Sequence, residues 1–419
     1  MLKEQLIDFI NESPTAFNAV ANLKKVFLEN NFIELKENEK FLLEKGKNYF
    51  VTRNNSALIA FKVGKDIKNY AFKIVASHVD SPCFKIKPVS EGKTDIYNKV
   101  NIEPYGGMIN STWLDRPLSI AGRVSLLENN VLVNRIVNIK KPVLMIPNLC
   151  IHFNRQINSG YAYNYAVDMQ PMIGQENEGN NLIGLLSEEL KVNSQQILNY
   201  DLFAYNLEKG YLWGKNNEYI SSPRLDDLEC AFISQKSFIS SNDDNNIDVC
   251  VFFDNEEVGS TTIQGANSDF LFNVLKRVNF ALNYDEEDFI CALANSYLVS
   301  SDNAHAVHPN RNDMTDPNNK VYMNKGIVIK FNASQSYTTD GSSASYIQNL
   351  CKKNHIPYQF FTNRADVRGG STLGNISSTH VSIKAVDIGL AQLAMHSSFE
   401  TAGSLDIEYL FELLKAFYN

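Results

Sequence analysis

The sequence predicts an α/β fold, a largely parallel, mixed sheet flanked by helices, interrupted by a β-rich insertion. Three observations carry this. Strand-like and helix-like runs alternate up to about residue 88 and again from about 215. Between these parts helical period nearly vanishes, and short apolar runs separated by Asn, Gly and Pro replace it. Several apolar runs in the flanking parts end in His, Asp or Glu, at the strand ends where α/β sheets hold their chemistry. The predicted division is one α/β domain built from 1–88 and 215–419, with 89–214 inserted. A chain of 419 residues with 44% hydrophobic residues can support two to three domains.

Leu2, Leu6, Phe9 and Ile10 have helical spacing, and Ser13-Pro14 starts a second helix through Phe17, Val20, Leu23 and Phe27. Strands are predicted at 49–52, 57–61 and 70–76, the last running into Ser77-His78-Val79-Asp80. The insertion carries strands at 118–124 and 131–133, a long polar loop over 161–181 and a short helix near 194–198. Then follow a helix over 225–240, a strand over 247–253, a helix over 269–280 and a strand over 289–293. A strand at 328–331, a helix at 342–355, strands at 358–361 and 382–386 and a final helix over 405–417 complete the pattern.

The net charge of −8 argues against a nucleic-acid partner, since phosphate binding needs clustered Lys and Arg. No apolar run approaches membrane-span length, and the acidic first turn at Glu4 and Asp8 predicts a helix start rather than an export signal. The six cysteines are scattered without a Cys-x-x-Cys pair and are predicted to be reduced, as in a cytoplasmic protein.

The most informative stretch is Val249-Cys250-Val251-Phe252-Phe253-Asp254-Asn255-Glu256-Glu257-Val258-Gly259. Two adjacent carboxylates at a strand end can divide into a metal ligand and a general base; alone, the pair reads more readily as a solvated acidic turn. Four other places put ligand-type residues after apolar runs. His78 and Asp80 fall on one side of an extended segment, where Asp80 can orient the imidazole, although Asp-Ser-Pro is also turn chemistry. Asp226 or Asp227 sits at a helix start, as a bridging ligand or a cap. Asp302 opens a segment with His305 and His308, and His396 ends an apolar stretch where a core histidine fits nearly as well. Oxygen and imidazole donors without thiolates suit zinc, manganese or cobalt.

Jointly, Ser77-His78-Val79-Asp80-Ser81-Pro82, Ser222-Pro223-Arg224-Leu225-Asp226, Asp254-Asn255-Glu256-Glu257-Val258-Gly259-Ser260, Asp302-Asn303-Ala304-His305-Ala306-Val307-His308-Pro309-Asn310 and Leu393-Ala394-Met395-His396-Ser397 resemble the aspartyl aminopeptidase family of co-catalytic zinc peptidases. The resemblance spans nearly the whole chain and implies a zinc-peptidase fold whose inserted domain serves dimerisation. It implies removal of N-terminal Asp or Glu from peptides with a free amino end, by water activated between two divalent ions, most often zinc, with cobalt or manganese possible. His78, Asp226, Glu257, Asp302 and His396 are then the ligands, with Asp226 shared; Glu256 is the general base and Asp80 orients His78. His305, Lys330 and Tyr337 match substrate-contacting positions, and His152 matches a histidine reaching a neighbouring subunit's site. The implied assembly is a tetrahedral dodecamer built from dimers. One departure stands out: relatives usually carry Asn after the bridging Asp, where this chain has Asp227. The same ligand chemistry also serves two-metal deacylases and carboxypeptidases, and some relatives prefer neutral N-terminal residues.

Overall fold

The computed structural model describes residues 1–175, 181–367 and 369–419. Its central sheet has nine strands, ordered Ile33–Leu35, Asn48–Arg53, Ala57–Val63, Ile247–Phe253, Phe72–His78, Tyr297–Ser301, Lys384–Gly389, Ile327–Lys330 and Tyr358–Phe361. The four middle strands, from Ile247–Phe253 to Lys384–Gly389, run parallel to one another. Ala57–Val63 and Ile327–Lys330 pair antiparallel with the two outer strands of this block, Ile247–Phe253 and Lys384–Gly389, so the sheet is mixed. Because the four central strands share a direction, the residues after His78, Phe253, Ser301 and Gly389 emerge at one edge of the sheet.

Both faces are covered, as parallel sheets require. Alternation along Ile247–Phe253 sends Cys250 and Phe252 into one apolar cluster, with Leu6, Phe27, Leu228, Ile347 and Leu410 from five helices. Val249, Val251 and Phe253 enter the opposite cluster, with Phe270, Leu271, Val274 and Phe289.

Six antiparallel strands form a separate sheet, ordered Val131–Asn138, Leu118–Glu128, Ile197–Asn206, Cys83–Thr94, Tyr97–Tyr105 and Met172–Gln175, with its own apolar cluster around Phe84, Trp113, Ile120 and Leu186. A small five-stranded sheet holds Tyr219–Ser222 beside Glu400–Gly403, and Ala391–Leu393 beside Ala304–His305. It draws the segments carrying Asp226, Asp302 and His396 together at the edge of the central sheet. Among the described residues no helix is long and apolar enough to cross a membrane.

Several elements differ from the sequence expectation. Residues 289–293 lie in a helix, Glu286–Asn295, not a strand; Asp285 caps it with reciprocal bonds to Asp288, and Phe289 and Ala292 face the core. The strand is the next segment, Tyr297–Ser301, so Asp302 still follows a strand. The expected helix at 194–198 is one 3-10 turn, Ser194–Gln196, leading into the strand Ile197–Asn206. The loop expected over 161–181 includes the strand Met172–Gln175, while 176–180 lie outside the described residues. Two helices, Leu182–Leu190 and Leu373–His380, were not anticipated. All six cysteines are free, in agreement with the reading of reduced thiols.

Candidate metal centre

His78 is the last residue of its strand and is buried. Its Nδ1 lies 3.1 Å from the Asp80 carbonyl oxygen and 3.4 Å from Asp80 Oδ1, which fixes the ring with Nε2 turned inward. Nε2 lies 3.5 Å from Asp226 Oδ1. The other oxygen of Asp226 lies 3.6 Å from His396 Nε2, which is 3.3 Å from Glu257 Oε2. His396 donates from Nδ1 to the Gly107 carbonyl at 2.7 Å, leaving Nε2 with its lone pair free.

These spacings bear on whether the pit fits a metal. Two ligands bonded tetrahedrally to one zinc at about 2.0–2.1 Å stand roughly 3.3–3.4 Å apart. Ligand atoms of Asp226, Glu257 and His396 form one group within 4.8 Å of one another, and those of His78, Asp227 and Asp302 form another. A third group joins His78 to Glu256 and Glu257. Asp226 Oδ1 and Asp227 Oδ1 are buried and accept no hydrogen bond. A buried carboxylate oxygen with neither donor nor cation is costly, so these orphaned acceptors fit a divalent ion. Burial, reinforced by the other carboxylates, pushes the Glu256 carboxyl up to about 8 and Glu257 well above its ordinary value. Burial raises Asp302 to about 6, with Lys330 opposing. Without positive charge these acids cannot all ionise together, and divalent cations would let them.

The local chain geometry explains how each side chain arrives. Asn255 adopts a left-handed conformation (φ 62°), turning the chain sharply after Phe253 so that Glu256 and Glu257 enter the pit in a single 3-10 turn. Asp80 holds that turn: Oδ1 accepts the Glu256 N–H at 3.1 Å and Oδ2 the Glu257 N–H at 3.2 Å. Asp80 thus contacts His78, as the sequence suggested, while its carboxylate also fixes the Glu-Glu pair. Asp226 and Asp227 lack helical backbone angles and regular helix begins only at Leu228; a cap would accept an N–H of that first turn, whereas Asp226 Oδ1 and Asp227 Oδ1 accept none and Asp227 Oδ2 turns to the strand end. Asp227 Oδ2 accepts the His78 backbone N–H at 3.2 Å, tying this unusual acid to the strand end.

Lys330 is buried, donating to the Asn303 carbonyl at 2.7 Å and facing Asp302 Oδ2 at 3.8 Å. Burial opposes its charge, yet Asp302 and Tyr337 hold the ammonium above its ordinary pKa. Its Nζ sits 5.5 Å from the centre of the Tyr337 ring, and Phe361 lies between reach of Tyr337 and His305, with ring centroids 6.3 and 6.1 Å away. His152 is exposed in a turn of the inserted sheet's connections and belongs to none of the three ligand groups.

Sequence reasoning missed two supporting residues. Glu400 is buried; its Oε1 accepts the His396 N–H at 2.8 Å and its Oε2 the Asp226 N–H at 3.0 Å. Asn303 donates its amide to the Leu225 carbonyl, Glu229 and Gln392. Their signals were faint: Glu400 merely opens a short strand, and Asn303 follows a more conspicuous Asp.

Comparisons with known proteins identify the family. The family model described as aminopeptidase I zinc metalloprotease (M18) matches residues 9–418. The chain is 49% identical to a probable M18 family aminopeptidase 2 of Clostridium novyi, over 99% of this chain and 98% of the relative, and 46% identical to one of Clostridium acetobutylicum, with the same coverages. Among solved structures it matches a chain of the Ape4–Nbr1 complex with a TM-score of 0.96 and 35% identity, covering all of this chain and 85% of the other. It also matches the mApe1 dodecamer of S. cerevisiae with a TM-score of 0.87 and 26% identity, covering 99% and 96%. With its mixed sheet, its acid- and imidazole-lined pit and these relatives, the chain belongs to the M18 family of zinc metalloaminopeptidases.

Proposed function

We propose that this aminopeptidase removes N-terminal Asp or Glu from peptides, using two divalent ions held by His78, Asp226, Glu257, Asp302 and His396. Zinc suits the donor set best, and cobalt or manganese would bind the same oxygen and nitrogen ligands. The observation that carries the two-ion reading is Asp226: its two oxygens face different histidines, at 3.5 and 3.6 Å, as a shared carboxylate would. Ions held by these residues would supply Lewis acidity, lowering the pKa of a water and polarising the scissile carbonyl. Glu256 takes the proton of that water at its carboxylate and passes it to the leaving amine. Asp80 keeps Glu256 in place through the backbone bond at 3.1 Å. Lys330, buried and charged, pairs with the acidic side chain of the first residue, with Tyr337 and His305 shaping the space around it.

In the same reading, 89–214 form a dimerisation domain between the halves 1–88 and 215–419 of the catalytic domain. His152, exposed on its turn, completes a neighbouring subunit's site in a dodecamer like that of the yeast relative. The free cysteines suit a cytoplasmic enzyme.

The test is a set of initial rates on matched peptides led by Asp, Glu, Leu or Lys, each with a free or an acetylated amino end, with metal content measured on the same sample. The proposal expects two ions per chain, fastest turnover of the free Asp and Glu peptides and no turnover of blocked ones. Preferential cleavage of acetylated substrates would point to a deacylase, and faster cleavage of the Leu peptide would remove the acidic preference.

A further inference from the structure

The inserted sheet sends one segment into the metal centre. Tyr105 ends the strand Tyr97–Tyr105, opposite Cys83, with its ring 5.4 Å from that of Phe203. Its hydroxyl donates to Asp80 Oδ2 at 2.8 Å and accepts from Asn255 Nδ2 at 2.8 Å. One group therefore holds both the acid that fixes Glu256 and Glu257 and the residue that makes their turn. Gly106 follows with φ +78°; a Cβ there would lie 3.2 Å from the Glu257 Cβ. The Gly107 carbonyl takes the Nδ1–H of His396, and the Ile109 N–H donates to the His396 carbonyl at 3.0 Å. Thr112 Oγ1 accepts the Ser398 N–H at 2.9 Å, and Trp113 returns the chain to the insertion's core, its ring 5.2 Å from Phe84.

We propose that residues 105–112 form a positioning strap through which the inserted sheet sets the geometry and affinity of the metal centre within its own chain. The inference rests on His396, Glu257 and Asp226 being metal ligands. The strap touches the non-ligating side of that set: it fixes which imidazole nitrogen of His396 carries hydrogen, and it braces Asp80 behind the Glu-Glu turn. Groups in this position commonly change metal affinity 10- to 100-fold when removed, because an unbraced ligand must be ordered anew on binding. Both ends of the strap are rooted in the insertion's packing, so any shift of that sheet moves His396 and the Glu-Glu turn together. The insertion then belongs to the active site as well as to assembly.

The experiment measures zinc dissociation constants of the full chain by competition with a chromophoric chelator. Visible spectra of the cobalt-loaded protein report ligand geometry. Tyr105→Phe keeps the ring against Phe203 and removes only the hydroxyl; Gly106→Ala puts a methyl against Glu257 at a backbone angle that disfavours it. His396→Ala is the ligand control, and circular dichroism of the zinc-free proteins confirms folding. The strap predicts zinc binding weakened roughly 10- to 100-fold in Tyr105→Phe and Gly106→Ala, with shifted cobalt bands, and weakened further in His396→Ala. Wild-type affinity and spectra in both strap variants, with His396→Ala impaired, would overturn the strap while leaving the ligand assignment intact. Wild-type affinity in His396→Ala would overturn the ligand assignment and the strap with it.

Discussion

Replacing Glu400 by Gln is the most instructive single change, because this carboxylate touches no ion in the proposed site and yet joins two ligand-bearing segments. Its two oxygens accept the backbone N–H groups of His396 and Asp226, at 2.8 and 3.0 Å. Asp226 is 3% exposed and Glu400 itself 2%, so the Asp226 N–H has no water to turn to, while His396 is half-buried. Gln has the same shape but only one acceptor oxygen, so one N–H must face an amide NH2. Leaving a buried donor unsatisfied costs about 1–3 kcal/mol. If that cost falls on the ordered, metal-bound arrangement, zinc affinity drops about 5- to 150-fold, at about 1.4 kcal/mol per tenfold. A chain with two large packed sheets need not unfold in one step, so chelator competition is a better assay than a melting curve. Zinc affinity in Glu400→Gln within twofold of wild type would refute the reasoning, because it would mean that neither N–H depends on the second oxygen.

Two further predictions concern the scaffold. Lys62 donates to the carbonyls of Phe238, Ile239 and Ser241 at 2.5, 3.2 and 2.7 Å, closing the C-terminal end of the helix Leu225–Ser240, where Ser241 also donates to Phe238; Lys62→Met should lower the urea midpoint by leaving the Ile239 and Ser241 carbonyls without this donor, and an unchanged midpoint would show them to be satisfied otherwise. Burial raises the Asp248 carboxyl to about 7, with Lys73 and Lys62 opposing and Asp243 adding to the rise. The folded state therefore holds this proton to higher pH than the unfolded chain, and stability from this site falls as pH rises from about 4 to 7. Asp248→Asn should raise the urea midpoint at pH 8 and leave it nearly unchanged at pH 4; a gain confined to pH 4 would reverse the sign.

Much of the candidate site was legible because its acids and histidines follow short strand-like runs: parallel strands of the central sheet deliver His78, the Glu-Glu pair and Asp302 to one edge, and the small sheet's antiparallel strands bring Asp226 and His396 to it. Five segments far apart in sequence, from His78 to His396, meet there. The sequence misled where an apolar run has no distinguishing period: Phe289-Ile290-Cys291-Ala292-Leu293 fits a buried strand or a helix, and only the Asp285 and Asp288 capping pair marked the helix. The contacts through Glu400 and Tyr105 were not legible for a different reason. They depend on the register of Ser222 against Glu400 and of Cys83 against Tyr105, pairings between strands about 178 and 22 residues apart in the chain. Asp80 was identified for its nearness to His78, but its grip on the Glu-Glu turn required the parallel register of His78 with Phe253.

The central claim is that Glu257 helps hold metal while Glu256 moves the proton, and Glu256→Gln tests it most directly when turnover of an Asp-led peptide and zinc content are measured on the same sample. The account predicts zinc retained at the wild-type stoichiometry with kcat lowered about 10²- to 10⁴-fold, the usual worth of a general base. A variant with near-normal kcat, or one that has lost its zinc, would contradict it.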